Sequence, residues 1–259
     1  MWALITGASS GIGYDIAGEL AERGYDLILV ARREERLKSL AEKLTAEKGV
    51  RCEVVPADVS DRVTCEKLYI GMSERGISIE DIEILVNNAG FGVLGEFVEN
   101  SLERELELID VNVTALHILT KMFLRGFVKR GGGYILNVAS AAGFMSGPKM
   151  AAYYASKNYV LSLSAALYEE QRRSKSNVSV SVLCPGPVKT EFSDVANSDF
   201  AVVALTSKFV AKKAVKGMLA HKLFIIPGIS NKLSIFATRF MPRKLMLRIV
   251  YKIQNLKVR

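Results

Sequence analysis

The stretch "ALITGASSGIG", Ala3 to Gly13, decides the fold. Its apolar start reads as a buried strand, and the segment after it has helical periodicity. Gly7, Gly11 and Gly13 lie in the turn between the two. Glycines so placed let the backbone turn tightly, approach a phosphate and pack helix against strand. The helix N-terminus then offers free N–H groups and the positive end of its dipole to a pyrophosphate.

Outward from this turn the same alternation repeats. "DLILV", "CEVVP", "EILVN", "YILNVAS", "VSVSVLCP" and "KLFIIP" read as further strands. Helical stretches are expected at about 11–23, 33–48, 60–76, 101–130, 150–174 and 207–220. Ser60, Ser101 and Thr206 or Ser207 are candidate N-caps; Gly24, Gly49 and Gly76 are candidate stops. Strands apolar on both faces, alternating with helices, predict an α/β fold. The expectation is a Rossmann-type doubly wound parallel sheet of about seven strands, helices on both faces, and a C-terminal helical extension. No internal repeat or linker divides the 259 residues, which are read as one domain over 1–228 extended by 229–259.

Composition narrows the classes. No apolar run reaches the roughly 18 residues of a membrane span. "MWALITG" already reads as strand and turn, leaving no stretch to serve as a signal peptide. Cys52, Cys65 and Cys184 lack metal-ligand spacing and are expected as reduced thiols of a cytoplasmic, metal-free protein. Charge is uneven. Residues 201–259 hold 13 Lys and Arg and no Asp or Glu, while the first 200 carry 22 basic and 27 acidic side chains. The overall +8 therefore belongs to the tail, which points to an anionic partner. No nucleic acid is expected among the partners.

The second strand ends "LVARREERL". A site for NAD wants a carboxylate there to hold the ribose 2′-hydroxyl, but this strand delivers Arg32 and Arg33. Guanidinium groups at a helix start oppose the dipole, and they suit a 2′-phosphate. Ser10 adds a hydroxyl. NADP(H) is the expected cofactor, with Arg32 expected to face the phosphate. Asp58, ending the third strand, can accept from an adenine amino group. In "NNAG", Asn87 to Gly90, asparagine side chains can bond neighbouring strand ends, and Gly90 admits a close ligand. Asn112 sits inside a helical run, where asparagine is a poor helix former.

"YILNVAS" places Ser140 at the C-terminal end of a strand, where open α/β sheets bind ligands. Tyr153 and Tyr154 follow. Lys157 lies four residues after Tyr153, on the same helical face, while Tyr154 points about 100° away. A free tyrosine titrates near 10, and an adjacent ammonium favours its phenolate. Tyr153 is therefore the one that Lys157 can tune.

With these motifs in this order, the chain from Trp2 to about Phe192 resembles the short-chain dehydrogenase/reductase family in its common single-domain, NADP-preferring form. It is more distantly similar to the membrane-associated 3-oxoacyl-thioester reductases and hydroxysteroid dehydrogenases. The resemblance implies a catalytic tetrad of Asn112, Ser140, Tyr153 and Lys157. It implies cofactor contacts from Gly7, Ser9, Ser10, Gly11, Ile12 and Gly13, from Arg32, Arg33, Asp58 and Val59, and from Asn88, Ala89 and Gly90. Tyr153 and Lys157 also belong to this set. So do Pro185, Gly186, Val188 and Thr190 of "PGPVKT", with Val188 and Thr190 holding the nicotinamide amide. It also implies pairing of helices 101–130 and 150–174 across a two-fold axis into a homodimer or homotetramer.

The expected activity is carbonyl reduction or alcohol oxidation with NADP(H) on an apolar ketone, aldehyde or secondary alcohol. A 3-oxoacyl thioester or a steroid fits the mostly small and apolar lid at 192–209 and the walls beginning at Gly90 and Gly143. A non-catalytic NADP(H) sensor or scaffold is the alternative, and an intact tetrad argues against it. At the C-terminus, Pro242 is expected to open an amphipathic helix with Leu245, Met246, Ile249, Val250, Ile253 and Leu256 on one arc. Lys244, Arg248 and Lys252 line its side. That helix either packs on the core or a neighbouring subunit, or makes the protein membrane-peripheral on an anionic surface.

Overall fold

A computed structural model describes residues 1–192 and 204–255. Seven strands form one parallel sheet: β1 (Trp2–Thr6), β2 (Asp26–Ala31), β3 (Cys52–Pro56), β4 (Ile82–Asn87), β5 (Gly133–Val138), β6 (Val178–Leu183) and β9 (Phe224–Ile225). Their order is β3-β2-β1-β4-β5-β6-β9. These are the seven apolar runs of the sequence; the five inner strands are buried because helices cover both faces, and the edge strands β3 and β9 only in part. One helical layer holds α1 (Gly11–Ala21), α2 (Glu34–Lys48) and α7 (Ser207–Leu219), packed over Ile5, Leu29, Val86 and Leu136. The other holds α3 (Arg62–Ile70), α4 (Leu102–Ile109), α5 (Leu116–Arg130) and α6 (Ala151–Arg173). Leu108, Phe123 and Phe127 there meet Leu4, Ile28 and Leu85 from the opposite sheet face.

The sheet is built outward in both directions from β1 and β4, so the chain leaves these adjacent strands to opposite sides. Their C-terminal ends frame a crevice in which α/β folds bind ligands.

Local signals hold with a few corrections. Ser101 caps α4 and Thr206 caps α7, each accepting a backbone N–H. Asp61, not Ser60, caps α3, because its carboxylate reaches both Val63 and Thr64 N–H groups. The predicted helix 101–130 is interrupted by a π-helical segment, Asp110–Ala115, which answers the misplaced Asn112. A short parallel pair, β7 (Val188–Lys189) with β8 (Leu205–Thr206), was not expected. The tail forms α8 (Ile229–Thr238) and α9 (Arg243–Asn255), with Pro242 just outside the helix it precedes. Most of the predicted lid, 193–203, and Leu256 lie outside the described residues.

Candidate active site

At the end of β1 the glycines are required by shape. Gly7 and Gly11 have φ of +68° and +58°. A Cβ on Gly13 would lie 2.4 Å from the Gly7 carbonyl oxygen and from Asn88 Nδ2. That closeness seats the start of α1 against the β4 loop. Thr6 completes the junction: its hydroxyl accepts from Asn88 and Ala89 N–H at 3.0 and 3.1 Å. Asn88 in return donates to the Thr6 and Gly7 carbonyls at 2.9 and 3.1 Å. Ser10 stands at the N-cap of α1 without capping it, which leaves the first-turn N–H groups for another acceptor.

The arginine pair divides. Arg33 lies on the glycine loop, donating to Ser9 Oγ at 3.1 and 3.2 Å and to Ser10 Oγ at 2.7 Å. Arg32, the one expected to face a phosphate, turns to the other side. It pairs with Glu107 at 3.2 Å and stands 3.6 Å from Asp58. Two carboxylates draw it there, whereas Arg33 meets only hydroxyls on the loop. The Asp58 carboxylate is raised by burial, but hydrogen bonds from Ser60 and the nearby Arg32 outweigh this and hold it low. Glu191, directly after Thr190, bridges Arg33 and Arg36, which hold its carboxyl down at about 2. A Cβ on Gly11 would come within 3.0 Å of the Thr190 methyl, so the loop and "PGPVKT" are in contact. A glycine cradle and an uncapped helix start fit the pyrophosphate of a dinucleotide, with the Arg33 guanidinium beside the same loop.

Further along the crevice the predicted tetrad comes together. Asn112, 1% exposed, clamps the backbone of Phe91: Oδ1 accepts its N–H at 3.0 Å and Nδ2 donates to its carbonyl at 2.9 Å. Nδ2 also donates to Ser156 Oγ at 3.1 Å, and Ser156 donates to the Tyr153 carbonyl at 2.7 Å. The π-segment thus aims an asparagine from one helix at the catalytic turn of another. Lys157, 5% exposed, donates from Nζ to the Val138 carbonyl at 2.9 Å. Burial draws it down to about 8. Ser140 accepts from Ala142 N–H at 3.1 Å and donates to Pro185 O at 3.4 Å, and its hydroxyl lies near enough to Tyr153 to favour the phenolate.

Burial pushes Tyr153 up to about 12, and nearby Ser140 only partly opposes it. The sequence argument gave Lys157 the larger influence. In the structure its Nζ stands 5.8 Å from the Tyr153 ring centre, and burial wins. Tyr153 is accordingly a phenol with a proton to give.

The two tyrosines part as their spacing predicts. Tyr153 faces Phe192, with ring centres 5.4 Å apart, while Tyr154 packs over Gly147 and accepts from Gln254 Nε2 at 2.6 Å. Gly92 completes the chamber: a Cβ there would meet Phe192 at 2.9 Å, Met150 at 3.0 Å and Tyr153 at 3.5 Å. Met150 and Phe192 thus crowd the space over Gly92 beside the Tyr153 ring, Gly92 and Met150 coming from the two segments expected as walls.

Sequence reasoning missed Thr6, Ser156, Glu191 and Gln254, and had Phe192 only as the first residue of the lid. Thr6 heads the quoted loop and could have been read with it. Glu191 reaches Arg33 across 158 positions and carries no local signal. Asn87 bonds a neighbouring strand end as expected, and the bond belongs to a longer buried relay: Asn87 donates to Asn137 and Thr120, and Asn137 donates to Ser164. It ties β4 and β5 to α5 and α6 beneath the site.

Comparison with known proteins agrees with this geometry. A family model described as short chain dehydrogenase matches residues 1–201. The chain is 34% identical over 214 residues to a very-long-chain 3-oxoacyl-CoA reductase of Mycosarcoma maydis, covering 82% of this chain and 59% of that protein. It is 31% identical to human 17-beta-hydroxysteroid dehydrogenase type 3, covering 86% and 72%. It thus spans about three fifths of the length of the oxoacyl-CoA reductase. Among solved structures, a short-chain dehydrogenase from Sphingobium yanoikuyae in complex with NADPH superposes with a TM-score of 0.82 at 34% identity, over 92% of this chain and 93% of the other. The chain belongs to the short-chain dehydrogenase/reductase family.

Proposed function

We propose that this protein is an NADPH-dependent carbonyl reductase, and in reverse an alcohol dehydrogenase, for an apolar ketone, aldehyde or secondary alcohol with a lipid-like body. The convergence of Ser140, Tyr153 and Lys157 beside a glycine cradle carrying Arg33 supports this reading most strongly. Arg33 and Ser10 hold the 2′-phosphate, with Arg32 and Asp58 flanking the adenosine. Asn88, Ala89 and Gly90, with Val188 and Thr190, position the nicotinamide end.

NADPH, when bound, supplies the hydride that reduces the carbonyl carbon. The protein supplies the rest. Ser140 donates to the carbonyl oxygen and fixes its pose. As the carbon–oxygen π pair moves onto that oxygen, Tyr153 transfers its phenolic proton there. Lys157 then stabilises the phenolate and serves its reprotonation, while Asn112 holds the Phe91 backbone and the Tyr153 helix in register. Gly92, Met150 and Phe192 exclude water from the reacting carbonyl and receive an apolar body.

An acyl chain in thioester linkage and a steroid both suit these walls, as the names of the two relatives suggest. Subunit pairing has support as well: Leu102, Leu106 and Ile109 form an exposed apolar row on α4 beside α6. Loss of NADPH absorbance with a panel of long-chain 3-oxoacyl thioesters, steroids and aromatic ketones tests the reading. Stoichiometric NADPH binding with no turnover of any carbonyl would replace it with a sensor or scaffold.

A further inference from the structure

α8 and α9 are the least buried elements of the fold, and their composition is lopsided. Between Ile229 and Asn255 there are six Lys and Arg and no Asp or Glu. On α8, Ile229, Leu233 and Phe236 lie within about 60° of one another at about 100° per residue. All three are exposed, Ile229 by 78%. Phe240, 74% exposed, continues the row, its ring edge-to-face with Phe236 at 5.2 Å. Lys232 and Arg239 stand exposed beside them. A contiguous row of this kind on a folded protein marks an interaction site.

α9 repeats the arrangement, and there the structure corrects the predicted apolar arc. Val250 and Gln254 are buried and Met246 half-buried, so the helix is already seated on the protein. Gln254 to Tyr154 and Asn255 to Lys149 fasten it. Leu245, Ile249 and Ile253 remain exposed, next to the exposed stripe of Lys244, Arg248 and Lys252. A groove of about 500 Å³ between Pro148 and this helix is lined by Leu245, Ile249 and Tyr251. It lies outside the catalytic cluster but beside the loop that carries Met150.

We propose that the outward faces of α8 and α9 dock the protein on an anionic lipid bilayer. The apolar rows enter the acyl boundary and the basic side chains meet headgroup phosphates. Charge decides between a bilayer and a second copy of this chain. Isologous pairing through these faces would bring six uncompensated cations from each copy together, with no acidic side chain in the segment to receive them. An anionic bilayer complements both the apolar rows and the cations. Residues 1–228 carry 27 basic and 27 acidic side chains, so the surplus of positive charge lies in the segment from Ile229 onward.

The test is co-sedimentation of the full chain with vesicles of phosphatidylcholine alone or mixed with phosphatidylglycerol, beside light scattering in solution. The protein should sediment with the mixed vesicles at low salt, be released at high salt, and stay in solution with neutral vesicles. Lys244→Glu and Arg248→Glu should each lower partitioning about fivefold or more. The Phe236→Ser/Phe240→Ser double variant should lose binding at unchanged oligomer mass and unchanged NADPH affinity, both measurable without lipid. Failure to bind mixed vesicles at low salt overturns the proposal, as does equal binding to neutral vesicles. A fall in oligomer mass of the double variant with vesicle binding retained also overturns it and makes this face a subunit interface.

Discussion

Gln254 donates its side-chain amide to the Tyr154 hydroxyl across 2.6 Å, tying the last described helix to the neighbour of Tyr153, the proposed proton donor. Gln254 is 1% exposed, and its Oε1 has no partner among the described residues. This bond gives Tyr154 a structural task and leaves Tyr153 free for chemistry. Tyr154→Phe should therefore cost about 1–3 kcal/mol of stability, because the buried amide loses its acceptor. Most of kcat should remain. Urea unfolding beside steady-state kinetics measures both, and unchanged stability with lost turnover would reverse the two roles.

In the proposed NADPH site, Arg33 rather than Arg32 stands on the glycine loop. Replacing a charged partner of a phosphate costs about 1.5–3 kcal/mol, roughly 10- to 150-fold in affinity. Arg33→Ala should weaken NADPH by that factor and leave NADH nearly unchanged. Arg32→Asp should have a smaller effect, since Arg32 already pairs with Glu107 and Asp58. Fluorescence titration with each nucleotide decides the order. Equal wild-type affinity for NADH and NADPH would remove the phosphate site altogether.

Lys157 carries the pH dependence. Burial draws it down to about 8, so it loses its proton as pH rises through that value. The reductive direction needs Tyr153 protonated and Lys157 charged. Reductive kcat/KM should thus be level below about 8 and fall toward tenfold per pH unit above it. The oxidative direction should rise below about 8 and level off above it, because reduction consumes one proton and the ratio of the two directions falls tenfold per pH unit throughout. A reductive profile level to well above 8, with NADPH saturation maintained, would show that Lys157 does not govern the proton.

Leu102, Leu106 and Ile109 on α4 should lie between subunits. Light scattering at micromolar concentration should give a dimer or tetramer mass for the native chain. Leu106→Glu should lower that mass, since a buried unpaired carboxylate is strongly unfavourable. A native monomer would leave the row without this explanation.

These sites differ in how openly the sequence carries them. Where one turn or one helix supplies the geometry, the residues were legible: a Cβ on Gly13 would lie 2.4 Å from the carbonyl oxygen of Gly7, six residues earlier in the same turn, and Tyr153 and Lys157 share a helix face by their spacing alone. The doubly wound parallel sheet was legible in the alternation of strands and helices, and the seven apolar runs marked the strands themselves. Contacts made by tertiary packing were not. Nothing near Arg32 reveals that Glu107 stands across the crevice, and nothing near Glu191 reveals Arg33. Asn112 was visible only as an anomaly, a poor helix former in mid-helix, until the π-segment explained it. The apolar arc of α9 was legible as amphipathic, but which of its edges meets the protein depended on Tyr154, a hundred residues earlier.

The central claim is that Tyr153 gives the proton in a carbonyl reduction. Single-turnover kinetics of Tyr153→Phe, loaded with NADPH and mixed with a carbonyl substrate of the native enzyme, tests it most directly. Hydride transfer should fall by about 10² to 10⁴, the usual weight of a positioned general acid. NADPH affinity should stay within about twofold, since the cradle and Arg33 are untouched. Hydride transfer at the native rate in this variant would contradict the account.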